Sequence, residues 1–567
     1  MLPLHIREDA PPLTRRWLGR PLARWIGLGL AIIVGLWLLA PIHLTSFQDV
    51  LNTPGEELST TALRPPILDD SLPWNQRALC VRESYLYGYN EYLKYASGHD
   101  EVLPLSKGWK DNFNGWGVSM IDSMDTMWIM GLRDQFDNAV RVASQQNFTA
   151  VSSTYAPFFE TVIRYLGGLL SAHALSGEVI LLDRANDLGS RMMPVFDTPS
   201  GLPRFSVNTA TGQTSLGWTG NAVLFSEATS CQVEYKYLAH VTGRSEYYDK
   251  VENIMNTMYH ANVSDGLFTT RWDAADASPM NNHFSVGASA DSGYEYLLKQ
   301  YLISGKTEPQ AKDQYLASMT GIINKLLYIS PHRKLLYVTD VASGRPIHDL
   351  QHLSCFLPGL FALGVHALDL SPRDKELHTW VAQGLAHTCW ITYADQATGL
   401  GPDGVQFDEQ SRLWVDVLAE WEHGGREHGM PPGVGDVPAE HAADKRDYRV
   451  SSSVYLLRPE TVESLFLMWK TTGDVRWRER GWAIYEALEK HTRVEHGYAI
   501  IRNVDQVPAE TSDDMPSFFL AETLKYLYLL FAETDITPLD KWVFNTEAHP
   551  LPIFTWSRKE QELYNIT

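Results

Sequence analysis

Tyr455-Leu456-Leu457-Arg458-Pro459-Glu460-Thr461-Val462-Glu463-Ser464-Leu465-Phe466 opens an apolar helix with two acids at its start. Proline suits the first position of a helix, where its missing N–H would have no partner. Pro459 there puts Glu460 in the first turn, where the helix dipole favours the ionised carboxylate. Glu463 follows at i+3, on the same face. The apolar period runs from Val462 to Trp469 and stops at Thr472-Gly473. Glycine tolerates the left-handed conformation that closes a helix. Buried carboxylates are costly unless they pair or bind something. The stretch therefore reads either as a structural turn with a solvated Glu pair or as part of a site.

The same ending recurs at Ser176-Gly177, Thr242-Gly243 and Ser304-Gly305, whose glycines lie 66 and 62 residues apart. That spacing holds two helices and their loops. Repeated antiparallel helix pairs of this length predict an α/α toroid or a solenoid. Helical periodicity covers about residues 77 to 535, with clear cases at Val162 to Leu175, Val233 to Val241, Tyr294 to Ile303 and Phe518 to Phe531. Strand-like alternation is sparse, near Lys334 to Thr339 and Tyr498 to Asn503. The fold class is all-α.

Outside this region the N-terminus carries its own signal. Residues 1–24 hold five arginines, and residues 25–44 contain no Asp, Glu, Lys or Arg. About 20 apolar residues cross a bilayer as a helix. The basic flank predicts a cytosolic tail at 1–24, a signal anchor at 25–44 and a luminal remainder. The rival is a cleaved signal peptide, but the apolar run exceeds an ordinary h-region and no small-x-small site follows. Residues 45–75 are polar with four prolines and read as a stem. A luminal address makes the sequons at Asn147, Asn262 and Asn565 relevant.

The chain has 567 residues and a net charge of −21, which disfavours nucleic acid because phosphate contacts need a basic surface. The same charge suits neutral or cationic ligands, Ca²⁺ included. Its four cysteines, Cys80, Cys231, Cys355 and Cys389, show no C-x-x-C metal spacing and are too few for a disulfide scaffold. His423 to Asp447 is a Gly/Pro/charged insertion, either a solvated loop or a zinc site built on His423, His428 and His441.

Further acids sit inside apolar helices. Glu160 and Arg164 stand at i, i+4 within Phe158 to Leu170, either an ordinary helix pair or a desolvated acid of the kind a general acid requires. In Gly287 to Tyr296, Ser292 and Glu295 have capping-box spacing, which leaves Asp291 free for other work. Glu522 lies in the aromatic run Ser517 to Leu527, and Asp122 and Asp125 follow Gly115-Trp116-Gly117. Phe544-Asn545-Thr546-Glu547-Ala548-His549-Pro550 offers the oxygen ligands that hard cations take. Serine-hydrolase, zincin, P-loop and dinucleotide fingerprints are missing from the sequence. Many acids with aromatic neighbours favour glycoside hydrolysis, in which two carboxyls flank the scissile bond.

These motifs together resemble the class I α-1,2-mannosidases, glycoside hydrolase family 47, over Gly115 to Leu132, Phe158 to Gly177, Gly287 to Lys299, His352 to Gly359, Leu456 to Phe466, Ser517 to Leu530 and Val543 to Pro550. The resemblance implies an (α/α)7 barrel over 76–556, with a C-terminal tail at 557–567. It implies Ca²⁺-dependent, inverting removal of α-1,2-linked mannose from high-mannose N-glycans, in a type II membrane protein of the Golgi or endoplasmic reticulum. By the same resemblance Glu160 is the general acid, acting through a water, and Glu460 the base. Asp291 is a further catalytic carboxylate and the alternative base. Thr546 is the direct Ca²⁺ ligand. Glu463, Glu522 and Glu547 hold waters and sugar, Arg164, Arg458 and Phe519 line the pocket, and Cys355 pairs with Cys389. A related alternative is a mannosidase-like lectin or enzyme of ER-associated glycoprotein degradation.

Two positions depart from the family pattern. Gln351 replaces an acid common before the following His. Ser289 stands where single-mannose-trimming members carry Arg and Golgi-type members a bulky apolar residue. A small residue there implies a roomier pocket. Digestion of a nine-mannose oligosaccharide should therefore remove several mannoses, and a digest that halts at one eight-mannose isomer contradicts this reading.

Overall fold

Glu460–Thr472 is an α-helix closed by Gly473 at φ 70°, whose N–H bonds the Trp469 carbonyl. Pro459 sits one place before the first helical residue rather than in it; its carbonyl accepts the Glu463 N–H at 2.8 Å. Left-handed closures recur at Gly177, Gly243 and Gly305. The structure, a computed structural model, describes residues 69, 71–149, 154–261, 263, 265–427 and 429–566. The expected tail, anchor and most of the stem lie outside the described residues, as does Asn262. No helix among the described residues is long and apolar enough to cross a membrane.

Among the described residues, seven helical runs form an inner ring. They are Val118–Ile121 with Met124–Ile129; Phe158–Glu160 through Thr161–Leu166 to Gly167–Ser176; Phe225–Thr229 with Gln232–Thr242; Asp291–Ile303; Leu357–Ala367; Glu460–Thr472; and Phe519–Thr523 with Leu524–Phe531. Each packs on the next, and Phe519–Thr523 returns to Met124–Ile129, which closes the ring. Outside them lie Arg133–Ser144, Val179–Met192, Ser245–Tyr259, Pro309–Lys325, Pro372–Ala394, Arg476–His491 and Trp74–Ala96, each paired with one inner helix. The residues explain this layering. Arg133–Ser144 buries one stripe, Phe136, Ala139, Val142 and Ala143, as a surface helix does. Asp291–Ile303 buries eleven of its thirteen residues, as a helix enclosed on all sides must.

The connections differ at the two ends. Inner-to-outer links are short, such as 177–178 and 243–244. Outer-to-inner links are long and carry small antiparallel sheets. The sparse strand signal therefore understated the strands: nine two- or three-stranded sheets occur among the described residues. Their strands run only two to five residues, too short for alternation to register. One hairpin, Trp542–Phe544 with Pro550–Pro552, projects its turn into the ring. Asn545 holds that turn, accepting the Glu547 and His549 N–H groups and donating to the Ile163 carbonyl at 3.0 Å. Space for it comes from Gly167, where a Cβ would lie 2.7 Å from the Asn545 side chain.

Both termini of the described body are packed. Helix begins at Trp74, whose ring stacks on Phe531. Residues 557–567, expected as a tail, include the helix Arg558–Tyr564, opened by a Ser557/Glu560 capping box and held by Tyr564 stacked on Tyr248. The 423–447 insertion is tied to the body by Asp436 with Arg476 and Arg480, and by Arg446 with Asp505. His428 lies outside the described residues, and among the described ones no three His, Cys, Asp or Glu side chains converge as metal ligands.

Cys355 and Cys389 form a disulfide, with Cα atoms 5.9 Å apart and 34 residues of separation. Loop-closure entropy for that length is about 4 kcal/mol. The Cys355→Ala/Cys389→Ala pair should lose about that much in chemical denaturation. Gly168 faces the Ile121 carbonyl oxygen, 2.7 Å from where a Cβ would sit. Backbone cannot yield as a side-chain tip does, so Gly168→Ala should cost about 1–3 kcal/mol by the same measurement.

Candidate active site

The inner helices are joined through antiparallel partners, so they run parallel, with their N-termini at the end that bears the long connections. The acids singled out in the sequence lie at that end. Glu160 closes the opening turn of its run, Asp291 and Glu460 are first residues of theirs, and Glu522 is in the first turn of its own. Helix N-termini favour negative charge, so the fold supplies part of the field these carboxylates need.

Arg164 organises one side. Its Nε donates to Glu160 at 2.8 Å, and its Nη1 pairs with Glu547, with Asp122 at 3.7 Å and Ser517 at 3.4 Å. Burial works against the guanidinium charge, but Glu547, Glu160 and Asp122 outweigh it and hold it protonated more firmly than usual. Glu160 is less desolvated than its apolar segment implied, with 33 % of its side chain exposed. Behind this group, His549 bridges Asp125 at 2.8 Å and Asp122 at 3.2 Å, and Lys525 pairs with Asp125 at 2.9 Å. These buried ions fasten the hairpin turn to the first and last inner helices.

Glu460 lies opposite in character. Its Oε2 is 2.9 Å from His352 Nδ1, and His352 Nε2 is 2.6 Å from the Tyr393 hydroxyl. Burial raises the carboxyl pKa, but the His352 hydrogen bond and the Arg458 charge overcome it and leave Glu460 below the usual range. Arg458 donates to Asp403 at 2.9 Å. It is placed by Leu457, a non-glycine residue at φ 63°. Asp291 is pushed up to about 7 by burial and by the nearby Glu295 and Glu460 charges.

The remaining acids repel one another. Glu463 is pushed up to about 8, first by burial and then by Glu295 and Glu460, although Lys299 lies 3.8 Å away. Glu522 and Glu547 are also raised, first by burial; Glu547 and Glu460 add to it for Glu522, and Asp122 and Glu160 for Glu547. Thr546, at the hairpin tip, is half-buried beside Glu547, with its N–H 3.3 Å from the Tyr296 hydroxyl. A half-buried hydroxyl and carbonyl among under-compensated carboxylates fit a hard cation.

Two expectations need correction. Ser292 and Glu295 do not form a capping box. The Ser292 hydroxyl accepts from Ser230, and Glu295 is drawn one turn along the buried helix to Lys299. Asp291 accepts the Ser292 N–H at 2.8 Å, so it is not wholly free of local duty. Phe519 does not line the site: it is 0 % exposed, packed on Tyr498. Phe518 does, half-exposed between Arg164 and Arg458 at 5.8 and 5.9 Å. A helix turn carrying two consecutive phenylalanines sends one ring inward and one out, and apolar pattern alone does not choose between them. Sequence reasoning also passed over His352, His549 and Glu227. Glu227 is pushed up to about 7 by burial, with the Glu160 charge adding to it.

A closed ring of helix pairs, with carboxylates gathered at the inner N-termini and one acid held by Arg and another by His, is built for acid–base chemistry on a neutral substrate; its class is a glycoside hydrolase. The chain belongs to glycosyl hydrolase family 47, whose model matches residues 84–553. It is 39% identical to the human endoplasmic reticulum mannosyl-oligosaccharide 1,2-alpha-mannosidase, over 88% of this chain and 67% of that protein. It is 36% identical to mannosyl-oligosaccharide alpha-1,2-mannosidase IA of Drosophila melanogaster, over 86% and 69%. The solved alpha-1,2-mannosidase from Trichoderma reesei superposes with TM-score 0.75 at 30% identity, covering 85% of this chain and all of that one.

His352→Ala removes the main support for ionised Glu460 and leaves burial and the neighbouring acids to raise its carboxyl. The acidic limb of the kcat/KM profile should move to higher pH, as measured by mannose release across pH.

Proposed function

We propose that this protein is a Ca²⁺-dependent, inverting α-1,2-mannosidase that trims high-mannose N-glycans on glycoproteins. The observation that carries this is the pair of contrasting carboxylates at the inner helix N-termini: Glu160 on Arg164, and Glu460 kept ionised by His352. The activities of its relatives, mannosyl-oligosaccharide α-1,2-mannosidases, support it. Glu460, an ionised acceptor, takes a proton from the attacking water. Glu160, through a water, delivers one to the departing sugar oxygen. Asp291 adds a third carboxyl beside Glu460, and Arg164 and Arg458 orient sugar and acids. Inversion follows when water, not an enzyme carboxylate, attacks the anomeric carbon.

Thr546 would hold the calcium, with Glu463, Glu522 and Glu547 gripping its waters and the sugar. The ion when bound supplies positive charge that orients sugar hydroxyls and offsets these acids. The apolar run at 25–44 supports a type II anchor in the endoplasmic reticulum or Golgi membrane, with the catalytic body luminal.

Incubation with a nine-mannose oligosaccharide should release mannose, first seen as the β-anomer by NMR. EDTA should abolish release and Ca²⁺ restore it. Binding without release under every Ca²⁺ condition would make the protein a lectin instead. Glu460→Gln should lose more than a hundredfold in kcat while still binding Ca²⁺ by calorimetry; undiminished turnover removes the base assignment.

A further inference from the structure

Tyr393 lies on the outer helix Pro372–Ala394, yet its hydroxyl reaches the imidazole that touches Glu460. An ionised carboxylate only accepts hydrogen bonds, so His352 Nδ1 carries the proton shared with Glu460. In a neutral ring Nε2 is then an acceptor, and the Tyr393 hydroxyl, 2.6 Å away, donates to it. Which imidazole nitrogen bears the proton is set by the bond the other nitrogen makes. Thr461 Oγ1 is the other neighbour of Nε2, at 3.3 Å, a weaker contact.

The surroundings hold this chain of contacts rigid. Cys355 is three residues after His352 and Cys389 four before Tyr393, so the disulfide clamps both partners together. Ser464, one turn along the Glu460 helix, donates to the Cys355 carbonyl at 2.5 Å and accepts the Gly359 N–H at 2.9 Å. His352 is 5% exposed and Tyr393 fully buried. Neither ring has room to turn and present its other edge.

We propose that Tyr393 is a positioning residue for hydrolysis: by donating to His352 Nε2 it fixes the tautomer whose Nδ1–H holds Glu460 as an ionised base. This rests on Glu460 being the base. Without the tyrosine hydroxyl, the ring is free to carry its proton on Nε2. The bare Nδ1 lone pair then faces the carboxylate, which takes up a proton instead. The other groups facing Glu460 are Arg458, Asp291, Glu463 and Glu522, and Tyr455 lies against Tyr393. Tyr393→Phe leaves the four groups that face Glu460 in place and removes, besides the bond to His352, only the hydroxyl's contacts with Tyr455 and Thr461.

The test compares pH profiles of mannose release by the full protein, with wild type and Glu460→Gln alongside. Tyr393→Phe keeps the ring and its packing. Its acidic limb should move up by about one pH unit, with kcat/KM below the limb down about tenfold and KM within about twofold. Placing 3,5-difluorotyrosine at 393, a stronger donor of the same shape, should move the limb the opposite way, and it serves if the Phe variant melts early. In a His352→Ala background Tyr393→Phe should change nothing further. A Tyr393→Phe profile that overlays wild type, or equal effects with and without His352, overturns the proposal while leaving the hydrolase reading intact. An inactive wild type overturns both.

Discussion

Negative charge concentrated at one end of a closed helical ring is the constraint that the rest of this structure answers to. Seven parallel inner helices bring their N-termini to that end, and dipoles of about half a charge each favour anions there. That field alone does not stabilise several buried carboxylates. Some of these groups therefore have a partner, while Asp291, Glu463 and Glu522 stay raised by burial and by one another's charge. Arg164 serves Glu160 and Glu547, Lys525 and His549 serve Asp125, Lys299 serves Glu295, and His352 serves Glu460. The inserted hairpin turn exists within this scheme, because Glu547 and His549 ride on it.

Two inner runs depart from α geometry where they meet the site. Thr161–Leu166 and Phe519–Thr523 are π-helical. Such widened turns are rare and cluster at functional positions. Here they hold Arg164 in one case and Glu522 in the other. Packing recovers the stability lost, since Arg164 to Leu166 and Phe519 to Thr523 are all buried.

Much of this was legible in the sequence because its physics is local. A glycine that closes a helix is a backbone requirement, so Gly177, Gly243 and Gly473 marked helix ends and the pair spacing marked the architecture. Acids inside apolar helices pointed to a candidate site because a buried carboxylate is costly unless it pairs or binds something. The rest depends on contacts hundreds of residues apart. Ser292 and Glu295 matched a capping box by spacing, but Ser230 and Lys299 draw them away. Phe518 and Phe519 are equivalent in pattern, and only Tyr498 reveals which one is core. His549 carried no local signal, because its meaning comes from Asp122 and Asp125, over 400 residues earlier.

Scaffold and site are not separable here. Arg164 holds Glu160 and, with the same guanidinium, clamps the hairpin through Glu547 and the first inner helix through Asp122. Removing one member of such a buried set leaves its partners uncompensated, which costs more than the interaction itself contributed. The disulfide has the same double character: it closes a 34-residue loop, and it also aligns His352 with Tyr393 behind the ionised acid. In a protein built this way, displacing one of these buried charges costs stability as well as altering the candidate site.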